Sequence, residues 1–253
     1  MVNAVLYDST QCVGCKLCES ACSEKWNLRY DDKVAAEDKL SAHKLTVVKT
    51  HADEKFSRRK CMHCEEPACA SVCPVGAFTK TKLGPVVYDE SKCIGCRYCM
   101  TACPFGVPAY EWTSRTPRVR KCDGCIERVS TVKPTACAEA CPTGATITGD
   151  RDALIAEARK RIAEKPSEYY PKIYGLNEVG GTTTLFIAGV PFEKLGLRTD
   201  LPMEALPPLT WRVLSGVPDV AAVGSVMLGG VYWITHRREA VARAEAAERR
   251  RTK

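Results

Sequence analysis

The sequence predicts an α+β fold built from small repeated cysteine modules and followed by one C-terminal transmembrane helix. Three observations predict it. All 16 cysteines of the 253 residues fall in four clusters of four: Cys12, Cys15, Cys18, Cys22; Cys61, Cys64, Cys69, Cys73; Cys93, Cys96, Cys99, Cys103; and Cys122, Cys125, Cys137, Cys141. The clusters also repeat: Tyr7-Asp8-Ser9-Thr10-Gln11-Cys12-Val13-Gly14-Cys15 recurs as Tyr88-Asp89-Glu90-Ser91-Lys92-Cys93-Ile94-Gly95-Cys96. Near the C-terminus, from Val213 to Thr235, only Asp219 is charged.

Composition sets the outer limits. With 45% hydrophobic residues the chain is too apolar for a disordered one and long enough for one large or two small domains. The 37 Lys+Arg against 30 Asp+Glu, a formal charge of +7, would alone point toward nucleic acid. The cysteines are the stronger signal. At this density they serve disulfides, structural zinc or redox metal, and a disulfide framework has no reason to keep quartets without strays.

The third quartet reads Cys93-x2-Cys96-x2-Cys99-x3-Cys103-Pro104, the bacterial ferredoxin run, in which three thiolates hold one [4Fe-4S] cube and the fourth holds its neighbour. Two-residue gaps wrap a tight loop around one cube, and the last cysteine, a helical turn on, faces away. Gly14 and Gly95 suit backbone conformations that bulkier residues resist. Cys73-Pro74-Val75-Gly76, Cys103-Pro104-Phe105-Gly106 and Cys141-Pro142-Thr143-Gly144 share an exit whose proline fixes φ. Zinc sites usually pair two doublets and have no use for a trailing Cys-Pro. The second quartet has a four-residue gap from Cys64 to Cys69, the fourth a long gap from Cys125 to Cys137, and Cys22 lacks the proline. No quartet loses a ligand, so four [4Fe-4S] clusters are expected on all sixteen cysteines.

The remaining elements follow in order. Pro85–Tyr88 and Ala145–Thr148 read as short strands between Gly/Pro turns. Each quartet suits a ligand loop running into a short helix, which points to small ferredoxin-like units. In the spacer from Ser23 to Lys60, Leu45–Val48 reads as a strand and the rest as polar connection. Leu154, Ile155, Ala158 and Ile162 give Asp152–Glu164 helical spacing, with Pro166 as its stop.

At about 1.5 Å per residue the window from Val213 to Thr235 covers most of a hydrocarbon core of about 30 Å. Trp211, Tyr232 and Trp233 mark its ends, and Gly216, Gly224, Gly229 and Gly230 permit close approach of another helix. Arg237, Arg238, Arg243, Arg249, Arg250, Arg251 and Lys253 then keep the C-terminus cytoplasmic by the positive-inside rule, which places the cluster domain on the other side. Eleven residues precede Cys12, without a signal segment or twin-arginine pair. The expectation is a cytosolic chain or one exported folded with a signal-bearing partner.

These motifs, with Lys60-Cys61-Met62-His63-Cys64-Glu65-Glu66-Pro67, Gly95–Pro108 and Arg120-Lys121-Cys122-Asp123-Gly124-Cys125, resemble the four-cluster iron–sulfur β subunits of membrane-bound respiratory oxidoreductases. That family includes formate dehydrogenase, hydrogenase-2 type [NiFe]-hydrogenase and relatives handling sulfur compounds and sulfoxides. Tyr169–Gly175, Val179-Gly180-Gly181-Thr182 and Gly189–Leu195 are most similar to the hydrogenase-2 type subunit, while formate dehydrogenase β subunits share the Gly-Gly-Thr segment and the membrane helix.

The resemblance implies nested ligation: Cys12, Cys15, Cys18 with Cys141; Cys122, Cys125, Cys137 with Cys22; Cys61, Cys64, Cys69 with Cys103; and Cys93, Cys96, Cys99 with Cys73. It implies one dicluster unit inserted in another. Residues 1–54 would begin the outer unit and 55–114 form the inserted one. Residues 115–150 complete the outer unit, 151–208 extend it, 209–235 cross the membrane and 236–253 form the basic tail.

The implied role is a non-catalytic electron carrier of an inner-membrane oxidoreductase complex, between a catalytic subunit with its own metal centre and a quinone-reactive membrane subunit. Hydrogenase is the first expectation, formate dehydrogenase the second, and a structural zinc or nucleic-acid module the competing class. No catalytic triad, phosphate loop or nucleotide fingerprint stands out, so no catalytic residue is assigned. His63 reads as a loop residue rather than a ligand, and His236 as an interfacial histidine. Arg115, Arg118, Arg120 and Lys121 read as a basic surface beside anionic clusters. Each oxidised cube with its thiolates carries about −2, so four bring the +7 chain to about −1.

Overall fold

The computed structural model describes residues 2–252, which divide into one unit reaching to Pro207 and a second beginning at Pro208. In the larger unit, strand β1 (Asn3–Asp8) leads into the first cysteine loop and helix α1 (Leu17–Lys25). The spacer holds helix α2 (Asp32–Ala36) and an antiparallel hairpin of β2 (Val47–Thr50) and β3 (Phe56–Arg59). Next come α3 (Ala68–Ser71), β4 (Phe78–Lys80), β5 (Val86–Tyr88) and α4 (Tyr98–Ala102). The short pair β6 (Ala109–Tyr110) and β7 (Val119–Arg120) precedes α5 (Ile126–Val129), α6 (Ala136–Glu139), β8 (Thr146–Asp150), α7 (Arg151–Glu164) and β9 (Thr184–Ile187).

Strand β1 is the centre of a sheet ordered β8-β1-β9, antiparallel to β8 and parallel to β9. Leu6, Leu185 and Ile187 point to one face and pack with Leu154, Ile155 and Ala158 of α7. Tyr7 and Phe186 alternate to the other face, against Tyr174 and Phe192. A strand buried on both faces has to be apolar throughout, which is why Ala4–Tyr7 shows no polar alternation.

Pairing also positions the cysteines. Tyr7 opposes Thr146, so the start of the first quartet and the end of the fourth emerge at one end of the sheet. Phe78 opposes Tyr88 in the β4–β5 hairpin, which does the same for Cys73 and Cys93. Strand β9 ties these parts together. Thr184 donates its amide to Met62 O and its hydroxyl to Cys61 O (3.1 and 3.0 Å), while Thr183 bonds His63 O.

Helix α7 starts at Arg151, one residue before the expected start, because Asp150 caps it through the amides of Asp152 and Ala153. The spacer differs more. It is no polar connection: its second strand, β3, was not legible because Ser57, Arg58 and Arg59 are polar, yet Ser57 and Arg58 are buried.

In the smaller unit, α8 (Leu206–Leu214) precedes α9 (Val217–Arg251). Pro218 sits in the first turn of α9, where the missing N–H costs nothing. The helix continues through the basic tail. Residues Leu206–Arg251 are long and apolar enough to cross a membrane, and Val220, Val226 and Leu228 are 74, 76 and 72% exposed. A helix with exposed apolar side chains of this kind is unsuited to water.

The sequence repeat appears as the same turn built twice. Asp8 Oδ1 accepts from the amide and hydroxyl of Thr10 at 3.0 and 2.6 Å, and Asp89 Oδ1 accepts from those of Ser91 at the same distances. Only Asp8 is buried, where it also accepts from Tyr169 Oη (2.8 Å) and pairs with Arg161 (3.1 Å). Removing one partner of a buried pair leaves the other charge uncompensated. Asp8→Ala is therefore expected to cost about 3–5 kcal/mol, and Asp89→Ala, at the surface, far less. Denaturant midpoints of the anaerobically purified protein check this, and equal losses would contradict it.

Candidate metal centres

The first Cys-x-x-Cys loop of each quartet turns through a left-handed residue just before its second cysteine: Gly14 (φ 68°), His63 (50°), Gly95 (71°) and Gly124 (69°). His63 thus occupies the place that glycine holds in the other modules. Its Nδ1 accepts from the Val86 amide at 2.9 Å, a bond that offsets the cost of a side chain there. At Gly124 no side chain fits, since a Cβ would lie 2.8 Å from Pro85 Cβ and Cγ. Lys16 and Arg97 occupy equivalent repeat positions and are left-handed too (58° and 64°), each capping the helix that carries the next cysteine. The matching basic residues in Cys15-Lys16 and Cys96-Arg97 were a signal in the repeat that the sequence reading passed over.

All sixteen cysteines are free thiols, and the fold gathers them. Cys12, Cys15, Cys18 and Cys141 line one cavity with Tyr7, Val48 and Thr146. Burial, then Cys122 and Cys137, push Cys22 well above the usual thiol range, and Cys125 adds to this. Burial followed by Cys61, Cys103 and Cys69 does the same to Cys64. Cys99 is raised to about 11 by burial and by Cys93, Cys96 and Cys73. Backbone amides approach the sulfurs: Ala77 N to Cys73 Sγ (3.3 Å), Gly95 N to Cys93 Sγ (3.4 Å) and Gly124 N to Cys122 Sγ (3.4 Å). Cys137 differs. Burial raises it, but Arg58, Lys60 and a hydrogen bond with Thr135 outweigh burial and bring it down to about 6.

These sites fit iron–sulfur cubes on two counts. Thiols held up by burial and by one another ionise together only when a cation joins them. Three buried donors also lack an acceptor: Lys60 Nζ, whose charge reaches Cys122 and Cys137, His63 Nε2, and Tyr88 Oη near Cys93. Sulfide and thiolate sulfur would supply one.

The other candidates separate. His63 is buried and held neutral, by burial first and then by Lys121, Lys60 and Lys80. His236 stacks on Tyr232 in α9, with centroids 5.6 Å apart. The expected basic surface before Cys122 does not form. Arg118 pairs with Glu90 (2.6 Å), Arg120 with Glu111 (2.8 Å), and Lys121 is buried and donates to the carbonyls of Val86 and Cys122. The sequence reading also missed Arg58 and Lys60, both buried among cysteines, because a basic residue in a polar spacer reads as solvated.

Residues 52–151 and 11–77 each match a family described as a 4Fe-4S dicluster domain. A protein of Nitratidesulfovibrio vulgaris is 40% identical over 96% of this chain and 70% of its own length. The hydrogenase-2 operon protein HybA of Escherichia coli O157:H7 is 37% identical over 76% of this chain and 72% of its own. The formate dehydrogenase iron–sulfur subunit of Haemophilus influenzae is 35% identical over 92% and 80%. Two dicluster domains and sixteen cysteines amount to four [4Fe-4S] clusters. The chain belongs to the 4Fe-4S dicluster iron–sulfur subunits of respiratory oxidoreductases, electron-transfer proteins related to HybA and to the formate dehydrogenase iron–sulfur subunits.

Proposed function

We propose that this chain is a non-catalytic electron conduit, taking electrons from a catalytic subunit with its own metal centre and passing them to a quinone-reactive membrane subunit. One observation carries the reading: the thiol groups neighbour one another in a row. Cys18 feels Cys137, Cys122 feels Cys61, and Cys69 feels Cys99. Bound cubes supply one-electron Fe3+/Fe2+ chemistry. The protein would hold them in that order, shields all of their ligands but Cys15 at least in part and offers amide N–H groups to the sulfurs.

The ligand sets we propose are Cys12, Cys15, Cys18 and Cys141; Cys22, Cys122, Cys125 and Cys137; Cys61, Cys64, Cys69 and Cys103; and Cys73, Cys93, Cys96 and Cys99. The shared cavity of the first set and the mutual influence within the other three support them. The catalytic partner is a [NiFe]-hydrogenase in this reading, after the 37% identity to HybA. A formate dehydrogenase is the second reading, after the 35% identity across 92% of the chain. The long apolar helix supports a single-pass anchor in the inner membrane, and the arginines beyond it support a cytoplasmic C-terminus with the clusters on the periplasmic side.

Three outcomes are expected. Cys12→Ser and Cys141→Ser should diminish the same paramagnetic signal of the reduced protein, and Cys22→Ser the one lost with Cys122→Ser; separate signals would refute the ligand sets. Nickel is expected in the large subunit that co-purifies with the tagged chain. Molybdenum or tungsten would move the assignment to formate dehydrogenase, and purification without a metal-bearing partner would end the conduit reading. An alkaline phosphatase fused after Lys253 should stay inactive and a fluorescent protein there should fluoresce; the reverse would invert the topology.

A further inference from the structure

The buried charges of the larger unit do not balance without the cysteines. Each buried carboxylate has its own cation: Asp8 with Arg161 (3.1 Å), Glu19 with Lys44 (2.9 Å), Asp123 with Lys25 (2.8 Å) and Glu178 with Lys172 (2.9 Å). Arg58, Lys60 and Lys121 are buried as well, and among the described residues no carboxylate lies at ion-pair distance from them. Arg58 is the most enclosed of these three, at 1% exposure. Its Nε donates to Thr46 Oγ1 (2.9 Å) and its Nη1 to Thr146 Oγ1 (3.0 Å), and Thr146 lines the cavity of Cys12, Cys15, Cys18 and Cys141.

Two neutral hydroxyls do not compensate a buried guanidinium, whose charge no accessible pH removes. The anions it meets are sulfur. Cys137 lies within hydrogen-bonding reach of the guanidinium, and Cys18 and Cys22 are the other sulfurs whose charge it meets. Cys18 belongs to the first proposed ligand set, and Cys22 and Cys137 to the second. Strand β3, in the segment between the first and second quartets, carries this cation to the place where the two sets adjoin.

We propose that Arg58 is a fixed counter-charge shared by the two cubes on these sets, and that it raises the reduction potentials of both. The inference rests on the ligand sets proposed above. Each electron taken up turns one Fe3+ into Fe2+ and makes the site more negative by one charge, with no proton bound. Arg58 meets that added charge at low dielectric, where attraction is far stronger than in water, so it favours the reduced form. Passing an electron from one of these sites to the other leaves Arg58 facing the same total charge, so the guanidinium raises both potentials without favouring either site over the other.

The test is a redox titration, followed by electron paramagnetic resonance, of the anaerobically purified full complex carrying Arg58→Gln or Arg58→Lys. Arg58→Gln should keep four cubes by iron analysis and lower two of the four potentials. The one-electron reduction constants of those two should fall at least tenfold, about 59 mV each, with the other two unmoved. Arg58→Lys should stay within half that shift. A purely structural arginine would leave the potentials in place, and unmoved potentials in Arg58→Gln overturn the proposal. So does an equal shift in Arg58→Lys, or a shift confined to one cube.

If Arg58→Gln loses cubes, Arg58→Lys alone decides. Four cubes near wild-type potentials support the proposal, and lost cubes or displaced potentials refute it. An error in the ligand sets shows itself separately, in the paired Cys→Ser signals.

Discussion

Sulfur ligands set side by side in a low-dielectric interior raise one another's cost of ionisation, because each thiolate repels the next and burial strips it of water. Cys137 escapes this, with Arg58 and Lys60 facing it. Cys22, Cys64 and Cys69 carry this burden most clearly, driven up first by burial and then by their neighbours, Cys69 to about 12. A bound cube would relieve it by taking these cysteines as thiolates, so that cluster binding and the native arrangement of the loops would stabilise one another. The orphaned donors of Lys60, His63 and Tyr88 belong to the same account, as polar groups whose partners the cubes supply.

The backbone meets this constraint by making the loops short and the scaffold between them stiff. Strand β1 carries β8 on one side and β9 on the other, with side chains buried on both faces. The extension beyond the last cysteine is part of the scaffold. Through Thr183 and Thr184 it fastens the loop of Cys61 and Cys64 to the sheet that holds the first and fourth quartets. Cysteines more than a hundred residues apart are thereby placed with the precision of a single sheet.

Charge is distributed to suit. The formal +7 is offset by cubes of about −2 each, and the positive groups divide into two populations. Arg58, Lys60 and Lys121 are buried beside sulfur, where low dielectric makes a single charge effective. The arginines of the C-terminal tail are exposed, where water and salt weaken them. Those just before Cys122, Arg118 and Arg120, pair with Glu90 and Glu111 on the surface, so proximity in sequence to a cluster ligand did not decide which cations serve the clusters.

The sequence by itself determined the four cysteine quartets, the number of clusters, the repeated Asp turn, the α7 helix and the apolar C-terminal helix. Each follows from local chemistry: the spacing of thiolates around a cube, an Asp bonding two residues on, an apolar period, a stretch without charge. Tertiary structure decided what depends on distant partners. Asp8 and Asp89 build the same turn, but only Asp8 is buried under Tyr169 and Arg161. Strand β3 looks polar and is a buried hairpin arm, because Arg58 finds sulfur and hydroxyl groups from three other parts of the chain. His63 fills a glycine's place since Val86, from a neighbouring hairpin, bonds its ring. A sequence shows which residues bear charge or sulfur, whereas the energy of a charge depends on what is folded around it.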